Sequence, residues 1–289
     1  MTEYLRSDVL EKAVAETCSL RLGLTVHKSI DSTNSWSMQQ CKVGKTMPFA
    51  CFAESQTMGK GRRGKRWYLP ANSNIAMSVC WSFDQPSLQI HLLPISIALA
   101  IVETLERFKM AEVQIKWPND VYVQGKKIAG ILIETQVLKG ESVGVESLNN
   151  SYLKKQQLAV VIGVGLNFDM SSLSLSESGV LPAFTDIESE IAEQRIEQRV
   201  NREEVASALL QHVVSTCQRF QLNAEKNLHQ FQARYDYCEN KVVDLMFENG
   251  DVLQGVARGV NENAELIVEI NGETCVFNSV DVSVKASPK

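Results

Sequence analysis

Residues 56–67, Gln56-Thr57-Met58-Gly59-Lys60-Gly61-Arg62-Arg63-Gly64-Lys65-Arg66-Trp67, hold five cationic side chains and three glycines. No ordinary helix or strand tolerates that density, so the segment must be an irregular turn between regular elements. Glycine lets main-chain N–H groups approach an oxyanion, while Arg and Lys supply charge and forked donors. The segment therefore reads as a mobile anion clamp, with a solvated basic turn as the plainer alternative. The spacing from Gly59 to Gly64-Lys65 also fits the first seven places of a P-loop. Arg66, however, stands where a Ser or Thr should ligate Mg²⁺, and Tyr68-Leu69-Pro70 follows in place of a helix, which excludes a P-loop.

The flanks read as a strand at Pro48 to Ala53, delivering Glu54-Ser55-Gln56 to the mouth of the loop, and a returning strand at Asn74 to Phe83. Upstream, Val9 to Leu20 is a short amphipathic helix and Leu24 to His27 a strand. The strand runs into Asp31-Ser32-Thr33-Asn34, four residues that favour helix N-caps, ahead of Trp36 to Cys41. Their N–H groups suit a carboxylate or carbonyl, and a plain capping turn is the alternative. His91 to Met110 is a helix with Leu93, Ile97, Ala100, Ile101, Leu105 and Phe108 on one face. Strands Val113 to Lys116 and Val121 to Val123 flank the turn Trp117-Pro118-Asn119-Asp120.

After a hairpin at Gly125, Ile128 to Thr135 returns as a buried strand. Lys127 at its start calls for an anion partner, or else it snorkels to solvent. Ala159 to Asn167 is a buried strand whose Gly163 and Gly165 permit close approach of a ligand or another backbone. It lacks the third glycine of a Rossmann turn. Gly140 to Gln157 and Met170 to Ser178 read as polar surface connections, and Glu188 to Gln198, Arg202 to Leu222 and Lys226 to Tyr235 as three helices. Short strands then follow at Lys241 to Phe247, Val252 to Val260, Leu266 to Ile270 and Thr274 to Phe277. Glu248-Asn249-Gly250, Asn261-Glu262-Asn263 and Asn271-Gly272 break them, the pattern of a small antiparallel barrel. The expected division is a larger domain over 1–236, opening with a short helix within 1–22, and a barrel over 237–289.

A formal net charge of −5 in 289 residues argues against a general nucleic-acid binder, so the cations of the loop form a local island with a small anionic partner. Seven cysteines without a CxxC pair and four histidines without metal-ligand spacing imply a reducing cytoplasm and no structural zinc. The first residues lack the pattern of a signal peptide, and the apolar run within Leu92 to Val102 is too short to span a bilayer.

Five blocks in order carry a resemblance: Asp31 to Asn34, Gly59 to Trp67, Lys116-Trp117-Pro118-Asn119-Asp120, Lys127 to Glu134, and Gly163-Val164-Gly165-Leu166-Asn167. Together they closely resemble the biotin protein ligases (biotin–[acetyl-CoA-carboxylase] ligase, holocarboxylase synthetase). The resemblance covers Leu24 to Asn167 by motif. It implies an α+β fold, a mixed β-sheet with helices on one side related to class II aminoacyl-tRNA synthetases, with the C-terminal barrel SH3-like. It implies ATP with Mg²⁺ as co-substrate, biotin as substrate, a biotinyl-AMP intermediate, and a biotin carboxyl-carrier domain as acceptor. No protein-held metal, membrane or DNA is implied, and homodimerisation stays open.

The resemblance also distributes roles. Arg62, Lys127 and Asp120 would be catalytic, although Asp120 serves equally as a turn former. Ser32, Thr33, Asn34, Gln56, Gly59, Lys60, Lys127, Gly130, Gly163 and Gly165 would bind biotin. Lys60, Arg62, Arg63, Trp67, Asn119, Lys127 and Asn167 would face ATP or the adenylate. Lys60 stands where many relatives have Arg, which turns a bidentate contact into a point charge. Relatives that also repress biotin operons carry an N-terminal winged helix, and only one helix precedes Leu24 here, so a ligase without repressor activity is expected. A lipoate ligase-like acyl-adenylate transferase and a non-catalytic adenylate-binding regulator are the competing classes.

Overall fold

Alternation along two central strands organises the molecule. The structure, a computed structural model, describes residues 4–18, 20–68, 70–83, 89–138, 157–173, 183–279 and 282–286. Strands β1 (Gly23–His27), β2 (Phe49–Ala53), β3 (Ile75–Phe83), β4 (Val113–Lys116), β5 (Asp120–Val123), β6 (Lys126–Leu138) and β7 (Gln157–Leu166) form one sheet in the order β1-β2-β3-β7-β6-β5-β4. The β1–β2 pair is parallel and the other pairs are antiparallel. On β3, Ile75, Met77 and Val79 enter the main core, and on β7 Val160, Ile162, Val164 and Leu166 do the same. Their neighbours Ala76, Ser78, Gly163 and Gly165 therefore face the other way, with Ala76 opposite Gly165 and Ser78 opposite Gly163.

Helix α1 spans Ser7–Thr17, α2 Thr33–Lys42, α3 Leu93–Arg107, α4 Ile187–Glu193 and α5 Arg202–Gln230. The long helices α3 and α5 lie against each other and the apolar side of the sheet, while the short α2 crosses the opposite face. The expected stripe on α3 is buried, and so are Ile95, Leu99 and Val102 on its other side, because α3 lies between α5 and the sheet. Each such Leu or Ile contributes about 1.5–3 kcal/mol by leaving water.

The expected break between Leu222 and Lys226 does not occur, since α5 runs unbroken through it. Leu222 is 87% exposed and the residues around it are polar, which hides the continuity. The buried series Cys217, Phe220, Ala224, Leu228 and Phe231 nonetheless keeps helical spacing throughout. The expected third helix is thus the end of α5 and the π-helical turn Phe231–Tyr235.

The segment ahead of β1 is tied down. Leu10 and Val14 of α1 are buried, with α1 set against α5. Glu54, 1% exposed at its side chain, accepts the Leu5 N–H at 2.6 Å and meets Arg202 at 2.7 Å.

The expected C-terminal strands are present as β8 (Val242–Phe247), β9 (Val252–Val260), β10 (Leu266–Ile270) and β11 (Glu273–Phe277). A fifth, β12 (Val282–Ala286), completes a sheet of order β11-β10-β9-β8-β12. Asn271 and Gly272, both at positive φ, make the tight turn that their dipeptide announces. The loops expected around 140–157 and 170–178 lie largely outside the described residues. Among the described residues no helix is long and apolar enough to cross a membrane.

The two sheets meet at 236–237, where the Tyr237 N–H donates to the Ile115 carbonyl at 2.9 Å and Tyr237 stacks on Tyr122. Burial pushes the neighbouring Asp236 carboxyl up to about 6, and its Oδ2 is buried without a hydrogen-bond partner. A carboxyl that holds its proton more tightly folded than unfolded removes stability as pH climbs from about 4 to about 6, and the loss persists above that window. Asp236→Asn should therefore stabilise the fold at about pH 8 by roughly 1–3 kcal/mol relative to its effect at about pH 4. Urea midpoints at the two pH values check this, and equal effects at both would rule it out.

Candidate active site

The sheet face under α2 is paved with small residues, and above it lies a cavity of about 420 Å³. That volume suits a small organic ligand. Ala76 of β3, Gly163 and Gly165 of β7 and Gly130 and Leu132 of β6 line its floor.

At one end the walls are polar and uncharged. Ser32 caps α2, its side chain accepting from the Ser35 N–H. The Gln56 Oε1 accepts from the Thr33 N–H at 2.8 Å and from the Thr33 hydroxyl at 3.2 Å. The Ser78 Oγ stands 2.6 Å from Asn34 Oδ1 and 2.8 Å from Thr33 Oγ1, and its single proton serves one of them at a time. Asn34 Nδ2 donates to Glu134 at 2.9 Å and to the Leu132 carbonyl at 3.2 Å. Asn34, expected as a ligand contact, is thus held by protein on both ends of its carboxamide.

Its neighbour Gly163 is glycine for that reason, because a Cβ there would stand 2.1 Å from Asn34 Oδ1. Gly165 and Gly130 likewise make room for the Trp67 indole, which a Cβ on Gly165 would approach to 2.3 Å. The close approach expected at the strand glycines is therefore made by two side chains of the chain itself.

At the other end the walls are cationic. The loop of residues 59–67 is a closed hairpin: the Trp67 N–H donates to the Gly59 carbonyl at 2.9 Å, and the Gly61 N–H to Lys65 at 2.7 Å. Gly59 is buried where a Cβ would meet the Trp67 carbonyl at 2.5 Å, and the tip turns through Arg63 and Gly64 at positive φ. Lys60, Arg63, Lys65 and Arg66 are exposed, whereas Arg62 folds inward. One arm of Arg62 donates to Asn119 Oδ1 at 3.1 Å and the other to the Ser279 carbonyl. Burial and the adjacent Arg63 push its pKa down, and Asp120 opposes them.

Lys127 is aimed by an irregularity of pairing. Gly130 pairs with Asp120 and Ala129 with Val121, but Lys127 pairs with Tyr122, leaving Ile128 extra. Strict alternation would send residue 127 to the core side with Ala129 and Ile131. The bulge turns it to the cavity instead. There its ammonium meets Asp120 Oδ1 at 2.6 Å and lies 5.6 Å from the centre of the Trp67 ring.

Asn119 and Asn167 both line the cavity. Asn119 Nδ2 donates to the Ile131 carbonyl at 2.7 Å and Asn167 Nδ2 to the Thr185 carbonyl at 3.0 Å, so protein carbonyls orient both. Among the described residues no cluster of His, Cys, Asp or Glu is arranged to hold a metal.

A sequence profile of the biotin/lipoate A/B protein ligase family matches residues 26–149. The bifunctional ligase/repressor BirA of Escherichia coli is 26% identical over 263 residues, covering 90% of this chain and 73% of that protein. The biotin–[acetyl-CoA-carboxylase] ligase of Mycobacterium tuberculosis is 27% identical over 271 residues, covering 90% and 88%. Residues 26–149 are similar to the biotin/lipoate A/B protein ligases, and the wider chain is similar to biotin ligases along most of its length. The biotin protein ligase of Aquifex aeolicus, solved with biotin and ATP, superposes with a TM-score of 0.67 at 22% identity over 92% of this chain and 99% of that one. At that identity the likeness is one of fold.

The matched stretch takes in the polar wall, the hairpin, Asn119, Asp120 and Lys127, while the glycines of β7 lie beyond it. Some residues in or behind the cavity wall carried no expectation. Ser78 was readable as a polar residue on the glycine-facing side of an apolar strand, and Glu134 as a charge inside one. Lys116, whose pKa burial pushes down, stood in a quoted block without a role. Met246, Val284 and Lys285 of the barrel also reach the cavity, and no local pattern marks them.

Proposed function

We propose that this chain joins biotin to a lysine of a carboxyl-carrier domain at the expense of ATP, through biotinyl-5'-AMP. The observation that carries the reading is the polarity of one cavity, neutral at Thr33 and Gln56, cationic at Arg62 and Lys116, with Lys127 turned in between. The neutral end suits the uncharged ureido ring of biotin and the cationic end the phosphates of ATP. Structures of relatives hold biotin with ATP, and that of Leishmania major holds biotinyl-5'-AMP.

In the first step a carboxylate oxygen bonds to the α-phosphorus as the bond to the bridging oxygen breaks, and pyrophosphate leaves. Two anions must approach, and Lys127 stands where their charge converges. Magnesium bound with ATP would supply further positive charge at the same end. In the second step the acceptor amine attacks the acyl carbon, AMP departs, and the amine loses a proton. Asp120, with one oxygen already on Lys127, is the carboxylate of the cavity wall placed to assist that loss. Arg62 and Lys60 close the hairpin over the adenylate, Arg63 adds charge at its tip, and Trp67 walls the middle.

The experiment is transfer of labelled biotin to a carrier domain with ATP present. ATP-dependent incorporation is expected, and lipoate offered in the same assay should not replace biotin; the reverse preference would make this a lipoate ligase. Arg62→Gly should still form adenylate but release it at least about tenfold faster, because a clamp of the closed state mainly restrains departure. Bystander lysines should then be labelled, and an adenylate held as long as in the wild type would remove Arg62 from that role.

A further inference from the structure

Trp117 precedes the cis peptide to Pro118, between β4 and β5, and is 2% exposed. It lines the cavity wall, yet its indole N–H points out of the cavity, into the C-terminal sheet, where it donates to the Ala264 carbonyl at 2.7 Å. Ala264 has φ +56°, a conformation that an L-residue with a Cβ adopts at a cost. The turn before it enforces that conformation. The Ala264 N–H donates to the Asn261 carbonyl at 2.9 Å, and Asn261 Oδ1 accepts the N–H groups of Asn263 and Glu265, both at 3.0 Å. A strained residue held by its neighbours and presenting its carbonyl to a buried donor is a built contact.

Two residues beyond Trp117, Asn119 is bound to Ile131 on both sides, donating through Nδ2 and accepting the Ile131 N–H at 2.9 Å on its carbonyl. Its Oδ1 receives Arg62, whose second arm ends on Ser279, in the connection between β11 and β12 of the C-terminal sheet. The terminal sheet therefore grips the Trp117–Asp120 turn from two sides, once through Ala264 and once through Arg62. The hydrogen bonds of the polar end, among Thr33, Asn34, Gln56, Ser78 and Glu134, involve no residue of that sheet.

We propose that Trp117 is a positioning residue through which the terminal sheet sets Asn119 and Arg62 at the cationic end of the cavity. Breaking the latch should weaken nucleotide binding and spare biotin binding. This rests on the assignment of the cationic end to ATP made above.

Calorimetry of ATP and of biotin, each titrated alone into the full chain, tests it. Trp117→Phe keeps an aromatic ring and removes the N–H, and should weaken ATP about tenfold while biotin changes less than about twofold. Asn261→Ala removes the side-chain bonds that hold Ala264, at a turn outside the cavity, and should weaken ATP in the same direction. It also decides the matter if Trp117→Phe does not fold. Unchanged ATP affinity in the folded variants, or equal losses for both ligands, would overturn the latch. A wild-type chain that binds both ligands but transfers no biotin would instead count against the proposed reaction.

Discussion

Replacing Lys127 with Ala is expected to slow biotin-driven pyrophosphate release by on the order of a hundredfold, the loss of about 3 kcal/mol of transition-state stabilisation. The ammonium is held at 2.6 Å by Asp120 Oδ1 with both side chains about one-fifth exposed. Charge fixed in advance in a confined site acts on the developing negative charge without reorganisation. The fold should lose less, since removing one partner of this largely buried pair costs about 1–3 kcal/mol and shifts unfolding by a few degrees. Pyrophosphate release and thermal unfolding, measured on the same variant, separate the two roles. Near-normal release with a lowered unfolding temperature would reduce Lys127 to a partner for Asp120.

Gly163→Ala should produce the second large effect, at the opposite end of the cavity. The new Cβ would lie 2.1 Å from Asn34 Oδ1 and 2.8 Å from Asn34 Cγ, distances that cannot persist. Asn34 is short and cannot swing aside without losing Ser78, Glu134 and the Leu132 carbonyl together. Overpacking of this kind costs about 1–3 kcal/mol. Because the displaced carboxamide adjoins Thr33, biotin affinity should fall by on the order of a hundredfold. Combining Gly163→Ala with Asn34→Ala removes the clash, so the double variant should unfold at a higher temperature than Gly163→Ala alone. A double variant less stable than either single one would show that the glycine answers to something other than Asn34.

The chain by itself determined the local form of the segments that line the cavity. Five cations and three glycines between Gly59 and Arg66 exclude helix and strand, and the structure closes them into a hairpin. Ser32 caps α2 and Asn271-Gly272 turns a hairpin, as those residue types do through their own side chain or backbone. Such properties belong to a few consecutive residues, so local chemistry suffices to read them.

Tertiary structure alone decided where those segments point. Lys127 reaches the cavity only because one extra residue, Ile128, interrupts the pairing of β6 with β5, and register belongs to two strands together. The glycines of β7 and β6 announce a close approach but not its partners, Asn34 and Trp67, which come from α2 and the hairpin. Leu222 interrupts the apolar pattern yet leaves α5 unbroken, because burial over a long helix outweighs one exposed turn. Trp117 carries no sign that its partner will be a carbonyl 147 positions away. Contacts between distant residues arise when separately formed surfaces are pressed together, and the free energy that selects them appears only when water leaves the space between.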